Sequence, residues 1–202
     1  MSAIDERIAL DLEKLANLSK QTDGRVRVVG VSGKPAKRID IELDYPTAPS
    51  RDYPKRIQST TAVKIELLSR YPFVEPNAVI TTPIFHPNVF ASGKICLGTK
   101  WLPTQGLDLL IRRVVQIITF DPDVLNERSP ANGTAVDWYR SALRANPEAF
   151  PTTRRTARTG SSLAQESVIV QCPSCAARLR IPSGKSGEVS CPKCSHRFSV
   201  SS

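Results

Sequence analysis

Residues 71–103 read YPFVEPNAVITTPIFHPNVFASGKICLGTKWLP, and the fold turns on how this stretch is interpreted. Ala78 to Phe85 is apolar and β-branched, which predicts a strand. Before it, Tyr71-Pro72-Phe73-Val74-Glu75-Pro76 is turn-rich. After it come His86-Pro87-Asn88, seven further residues, and then Cys96 within Ser92-Gly93-Lys94-Ile95-Cys96-Leu97, a loop with no periodic pattern. Trp101-Leu102-Pro103 closes the stretch. A single cysteine in a globular domain is ordinarily a small buried hydrophobe. Its position in a Gly- and Pro-rich loop singles Cys96 out.

Upstream, Ile4, Ile8, Leu12, Leu15 and Leu18 recur at intervals of four and three, with Asp5, Glu6, Asp11, Glu13 and Lys14 between them. This predicts one amphipathic helix over residues 3–19 with its charges facing water. Ser2 and Asp5 form a capping pair at its start. Three runs with period-two alternation follow: Val26 and Val28; Ile39, Ile41 and Leu43; then Val63, Ile65 and Leu67. With the strand at 78–85 they predict a four-stranded antiparallel meander. Residues 45–60, with three prolines, read as loop. Downstream, Leu107, Leu110, Ile111, Val114, Ile117 and Ile118 predict a long buried helix ended by Asp121-Pro122, and Ala135 to Ala145 predicts a last short one. Helix, strands, then helices is an α+β pattern.

The whole chain has 202 residues and a formal charge of +9. Residues 1–148 carry only +3 of it, and residues 149–202 carry +6. Hydrophobic residues make up 40% and charged residues 23%, which excludes a largely disordered chain. No apolar run is long enough to span a bilayer, and the start MSAIDERIALDLEKL lacks the basic and apolar regions of a secretory signal. The expectation is a cytoplasmic protein with no membrane partner. From Pro147 to Glu166 the composition turns to Thr, Ser, Arg, Pro and Gly, which predicts a flexible linker. The expected organisation is therefore a core at 1–146, a linker at 147–166 and a small unit at 167–202.

That small unit carries Cys172-Pro-Ser-Cys175 and Cys191-Pro-Lys-Cys194. Two turns offering two thiolates each supply the four soft tetrahedral ligands that Zn²⁺ prefers, so one structural zinc per chain is expected. Two redox pairs are the alternative, but thioredoxin-type pairs open a helix in a βαβ unit, and only the strand-like Leu179-Arg180-Ile181 is available here. About 35 residues bury too little surface to fold alone, so the metal would supply the folding free energy. The segment resembles the zinc ribbons common in prokaryotic proteins, which points to a bacterial source. The glycine usual after each second cysteine is Ala176 and Ser195 here.

Tyr-Pro-Phe with a proline three residues on, a strand, His-Pro-Asn, seven residues, a cysteine followed by leucine, Trp-x-Pro and a long helix: in this order the landmarks resemble those of the ubiquitin-conjugating enzymes. The resemblance covers about residues 3–145. It implies that family's fold and an acyl transferase that accepts a ubiquitin-like modifier as a thioester on Cys96 and passes it to lysines of a target protein. The thiol must attack one thioester and later depart as thiolate, which cysteine does well. The resemblance further implies an activating enzyme engaged through helix 3–19 and a ligase-facing surface including Phe73, Trp101 and Pro103. It makes His86 and Pro87 structural residues of the active site and Asn88 an oxyanion donor. The same carboxamide suits a loop brace, and the two readings stand side by side.

The sequence departs from the family in several places. Cys96 to Trp101 is short. Ser129-Pro130 stands where relatives often place an acid before proline, leaving Ser129, Asp121 and Asp123, with Glu127 nearby, as the region facing an acceptor lysine. Two other functions compete. An inactive modifier-binding scaffold would lack the acceptor cysteine, and a nucleic-acid-binding ribbon would be expected to place more aromatic residues than Phe198 among its basic ones.

Overall fold

The computed structural model describes residues 2–150, 167–182 and 186–201. The chain divides into two compact units, Met1–Thr156 and Ala157–Ser202.

In the first unit, helix α1 (Ala3–Gln21) begins in a capping box: the Ser2 hydroxyl accepts the Asp5 N–H and the Asp5 carboxylate accepts the Ser2 N–H. Four strands follow in sequence order, β1 (Val26–Ser32), β2 (Arg38–Leu43), β3 (Thr61–Glu66) and β4 (Asn77–Ile80), all antiparallel. The alternation seen in the sequence sets the register: Ile39 pairs with Ile65 and Ile41 with Val63, and all four are buried. Their inner face packs with Ile8, Leu15 and Leu18 of α1 and with Leu107, Ile111, Val114 and Ile117 of helix α2 (Leu107–Ile118) in one core.

Strand β4 ends at Ile80 rather than Phe85. Pro83 has no N–H to give a ladder, and the chain leaves the sheet so that Phe85 N–H reaches the Ala48 carbonyl (2.8 Å). Helix α3 (Gly133–Ala145) starts two residues earlier than the sequence suggests, because the Asn132 side chain accepts the Ala135 N–H and caps it.

Asp11 and the segment Pro147–Phe150 behave differently from their sequence reading. Asp11 was expected on the polar face of α1 but is wholly buried. Its carboxylate accepts from Arg7 Nε (2.7 Å), the Tyr71 hydroxyl (2.5 Å) and the Leu107 N–H (3.3 Å). It thus fastens α1 to the Tyr-Pro loop and to the first turn of α2, where a carboxylate also favours the helix dipole. Arg7 extends the tie to the Pro103 and Gln105 carbonyls.

Pro147–Phe150, expected in the linker, belongs to the first unit instead. Pro147–Ala149 is a 3₁₀ turn, and Phe150 is buried in an aromatic cluster with Tyr53, Phe120 and Tyr139. Polar composition around an isolated aromatic concealed it. The remainder of the expected linker, 151–166, lies outside the described residues.

The second unit has two antiparallel hairpins, β5 (Ser167–Gln171) with β6 (Arg178–Pro182) and β7 (Ser186–Ser190) with β8 (Arg197–Ser201). No helix among the described residues is long and apolar enough to cross a membrane.

Candidate active site and metal centre

Cys96 is half-buried at the end of a loop that leaves and rejoins the body of the first unit between His86 and Leu97. The Cys96 N–H donates to the Asn88 carbonyl (2.7 Å), and Asn88 Nδ2 donates to the Cys96 carbonyl (3.2 Å). The cysteine backbone is therefore clamped to Asn88 from both sides. The loop reverses at Gly93, whose φ is +81° and where a Cβ would stand 2.2 Å from the Ile80 carbonyl oxygen. Only glycine fits there. Beyond the sulfur the Leu97 carbonyl accepts Arg113 Nε from α2 (3.0 Å).

Asn88 is wholly buried, and its carboxamide is fully engaged. Nδ2 also donates to the Val124 carbonyl (3.0 Å), and Oδ1 accepts the Asn126 N–H (3.0 Å). Both Asn88 N–H groups hold backbone carbonyls, an arrangement that matches the brace reading.

His86 is also wholly buried, its ring tilted by 40° against Phe120 at 4.5 Å between centroids. Its Nδ1 accepts the Asn88 N–H (2.9 Å), so the ring is neutral with its proton on Nε2. Burial pushes its pKa down to about 3, with the Ile117 carbonyl acting the other way, and Nε2 has no hydrogen-bond partner among the described residues. A ring whose acceptor nitrogen is spent on a backbone N–H serves to hold the loop. Pro87 is buried beside it, and its carbonyl accepts the Asn132 N–H (3.1 Å), joining the loop to the cap of α3.

A pH dependence follows. Unfolded, this histidine binds a proton near pH 6.5; folded, it does so only near 3. Below pH 6.5 the unfolded state therefore holds more protons, and stability falls with pH. Its contribution is intact above 6.5 and declines by up to roughly 1.4 kcal/mol per pH unit on the way to 3. Urea midpoints of the first unit should drop between pH 6.5 and 5, above the carboxylate range, and His86→Gln should flatten that slope. An equal slope in the variant would contradict the assignment.

The loop from Asp121 to Asn132 brings a residue to the sulfur that the sequence did not single out: Asn126, with Nδ2 3.9 Å from Cys96 Sγ. Asp121 is buried, and its Oδ1 accepts the Asp123 N–H (3.0 Å). Asp123 and Ser129 are exposed, and Glu127 pairs with Arg140 (2.8 Å). A surface groove of about 760 Å³ runs up to Cys96, lined by Leu68, Pro76, Phe90, Lys94 and Gly98.

Of the three candidate ligase-facing residues, Phe73 is 74% exposed, which sets aside a core role for it. Trp101 is instead tucked in. Its indole N–H donates to the Pro72 carbonyl (2.7 Å) and its ring lies against Tyr71, so it props the surface from beneath. Pro103 is half-buried, and its neighbour Leu102 is 51% exposed.

In the second unit, Cys172, Cys175, Cys191 and Cys194 bring all four sulfurs within 4.8 Å of one another. Two pairs, Cys172 with Cys194 and Cys175 with Cys191, stand at 3.6 Å. Tetrahedral zinc with bonds of about 2.3 Å to sulfur requires sulfur pairs about 3.8 Å apart, so the cluster fits that ion. Both turns have the same build. Cys172 and Cys191 accept the N–H of Ala176 and Ser195, and each of these has a φ near that of a left-handed helix, +56° and +57°. That is the conformation for which glycine is usual.

Residues 58–154 match the family description "Ubiquitin-conjugating enzyme". The chain is 28% identical over 118 residues to ubiquitin-conjugating enzyme E2 1 of Caenorhabditis elegans, covering 57% of this chain and 59% of that protein. It is 32% identical over 89 residues to ubiquitin-conjugating enzyme E2 T of Homo sapiens, covering 43% and 45%. The chain thus spans about half the length of these relatives. A solved structure of S. cerevisiae Ubc12 superposes at a TM-score of 0.54 with 21% identity, covering 81% of this chain and 83% of that one. At that identity the likeness speaks for the fold, which is that of the ubiquitin-conjugating enzymes.

Proposed function

We propose that this chain is a ubiquitin-conjugating-type acyl transferase, receiving a ubiquitin-like modifier on Cys96 from an activating enzyme and passing it to an amine of a target protein. The observation that carries this reading is the setting of Cys96: a half-buried thiol at the lip of a groove, its backbone clamped to the Asn of a His-Pro-Asn turn, inside the stretch that matches the family. Helix α1 would meet the activating enzyme, and exposed Phe73 and Leu102 would meet a ligase. The four-cysteine unit would hold one structural zinc, with no part in the acyl transfer. A cytoplasmic setting, where thiols stay reduced, suits both centres.

With its cognate activating enzyme, modifier and ATP, the chain should form an adduct that dithiothreitol removes. Cys96→Ser should trap the adduct as a dithiothreitol-resistant ester, because an alkoxide is a far poorer leaving group than a thiolate. Cys96→Ala should form none. A reductant-sensitive adduct on the alanine variant would move the acceptor to another cysteine and end this reading.

A further inference from the structure

We propose that Asn126, rather than Asn88, supplies the side-chain N–H that stabilises the oxyanion formed on Cys96. This role rests on the transferase reading above.

Two observations lead to it. Asn88 has no N–H left, since both hold backbone carbonyls. Asn126 has one proton committed and one directed at the reacting atom. Its Nδ2 donates to the Ser129 carbonyl, its Oδ1 accepts the Ser129 N–H (3.0 Å), and the same Nδ2 lies 3.9 Å from Cys96 Sγ. The paired bonds to Ser129 define which end of the amide is nitrogen and lock the rotamer, and the Asn126 backbone is held in turn by Asn88 Oδ1. The donor is thus preorganised, which is the condition under which such a group lowers a barrier. Asn88 becomes a positioning residue acting through Asn126.

In the transfer step the neutral amine of a lysine attacks the thioester carbonyl carbon. A C–N bond forms, and the carbonyl π pair moves to oxygen. The nitrogen loses a proton to water, the oxyanion collapses, and the C–S bond breaks with Cys96 leaving as thiolate. The carbonyl oxygen sits two bonds from Sγ, where an N–H aimed at the sulfur meets it. Loading passes the acyl group between two sulfurs, whereas amide formation holds the oxyanion while nitrogen deprotonates. The donor matters more in the second step.

The test loads the full chain chemically with the mercaptoethanesulfonate thioester of ubiquitin, removes excess, and follows discharge to free lysine in single turnover. Asn126→Ala and Asn126→Asp should both load normally and discharge roughly a hundredfold more slowly. Asn126→Asp keeps an acceptor for the Ser129 N–H but sets its other oxygen against the Ser129 carbonyl, so thermal midpoints are measured beside the rates, and a slowing of discharge beyond what the midpoint shift accounts for reports the lost N–H. Discharge of either variant at the wild-type rate, or loss only in step with lower stability, overturns the role of Asn126. Wild-type chain that takes no acyl group, or whose thioester meets lysine no faster than the same thioester on free cysteine, overturns the transferase reading itself.

Discussion

Chain purified without chelator should carry one zinc, and Cys191→Ser should remove it together with the fold of the second unit. The sulfurs are spaced for tetrahedral coordination, and Cys172 and Cys191 are the buried side chains of the described part of that unit. Two short hairpins with so little apolar content cannot offset their conformational entropy unaided. Structural zinc on such ligands supplies on the order of 10–16 kcal/mol at neutral pH. Metal analysis with amide exchange over residues 167–201 checks this: the serine variant should exchange at the rate of an unfolded chain there. Protection that survives without metal would show that the hairpins hold by packing. Cys96 chemistry in the same sample should be unchanged, since the two centres lie in separate units.

Asp11→Ala should lower the stability of the first unit by about 3–5 kcal/mol, the range for breaking a buried, hydrogen-bonded charge pair. The change strands the Tyr71 hydroxyl, the Leu107 N–H and the Arg7 guanidinium at once. Arg7 keeps 19% of its side chain in water and the Pro103 and Gln105 carbonyls as partners, so it recovers part of its loss. Tyr71 and Leu107 are buried and recover none. Urea unfolding followed through Trp101 fluorescence reads the loss, because Trp101 packs on Tyr71. A drop below about 1 kcal/mol would mean that water replaces the carboxylate freely. Asp11→Asn, which keeps one acceptor, should fall between.

Asp11 also marks the boundary of what periodicity discloses. The spacing of Ile8, Leu15 and Leu18 locates the buried face of α1, because burial of apolar surface depends only on where a side chain points. The same rule puts Asp11 in water. Its partner Arg7 is four residues away on the same helix, but the other two stand 60 and 96 residues away, and only the folded topology brings those in. The meander was legible for a similar reason: each strand pairs with its neighbour in sequence, and β2, β3 and β4 alternate in burial, while β1 has a register shift between Val28 and Gly30. The site divides the same way. Cys96, Asn88 and His86 stand in a motif with its own spacing, and the four zinc-type cysteines carry theirs. Asn126 sits in an unpatterned loop, and its one local sign is a serine three residues on whose backbone it grips. Phe150 was hidden by its polar neighbours, since composition averages over a window and one aromatic does not change the average.

The place of Phe150 has a consequence for the order in which the molecule can be completed. His86 rests on Phe120, and Phe120 in turn packs edge-on against Phe150 at 5.1 Å between ring centroids. The ring supporting the thiol's loop is thus buttressed by a residue made more than fifty positions after the thiol itself. During synthesis from the N-terminus, Cys96 emerges before Phe150 exists, and the ring stack beneath its loop is completed only when that residue has been made. The Cys96 thiol thus reaches its native setting only after Phe150 is in place.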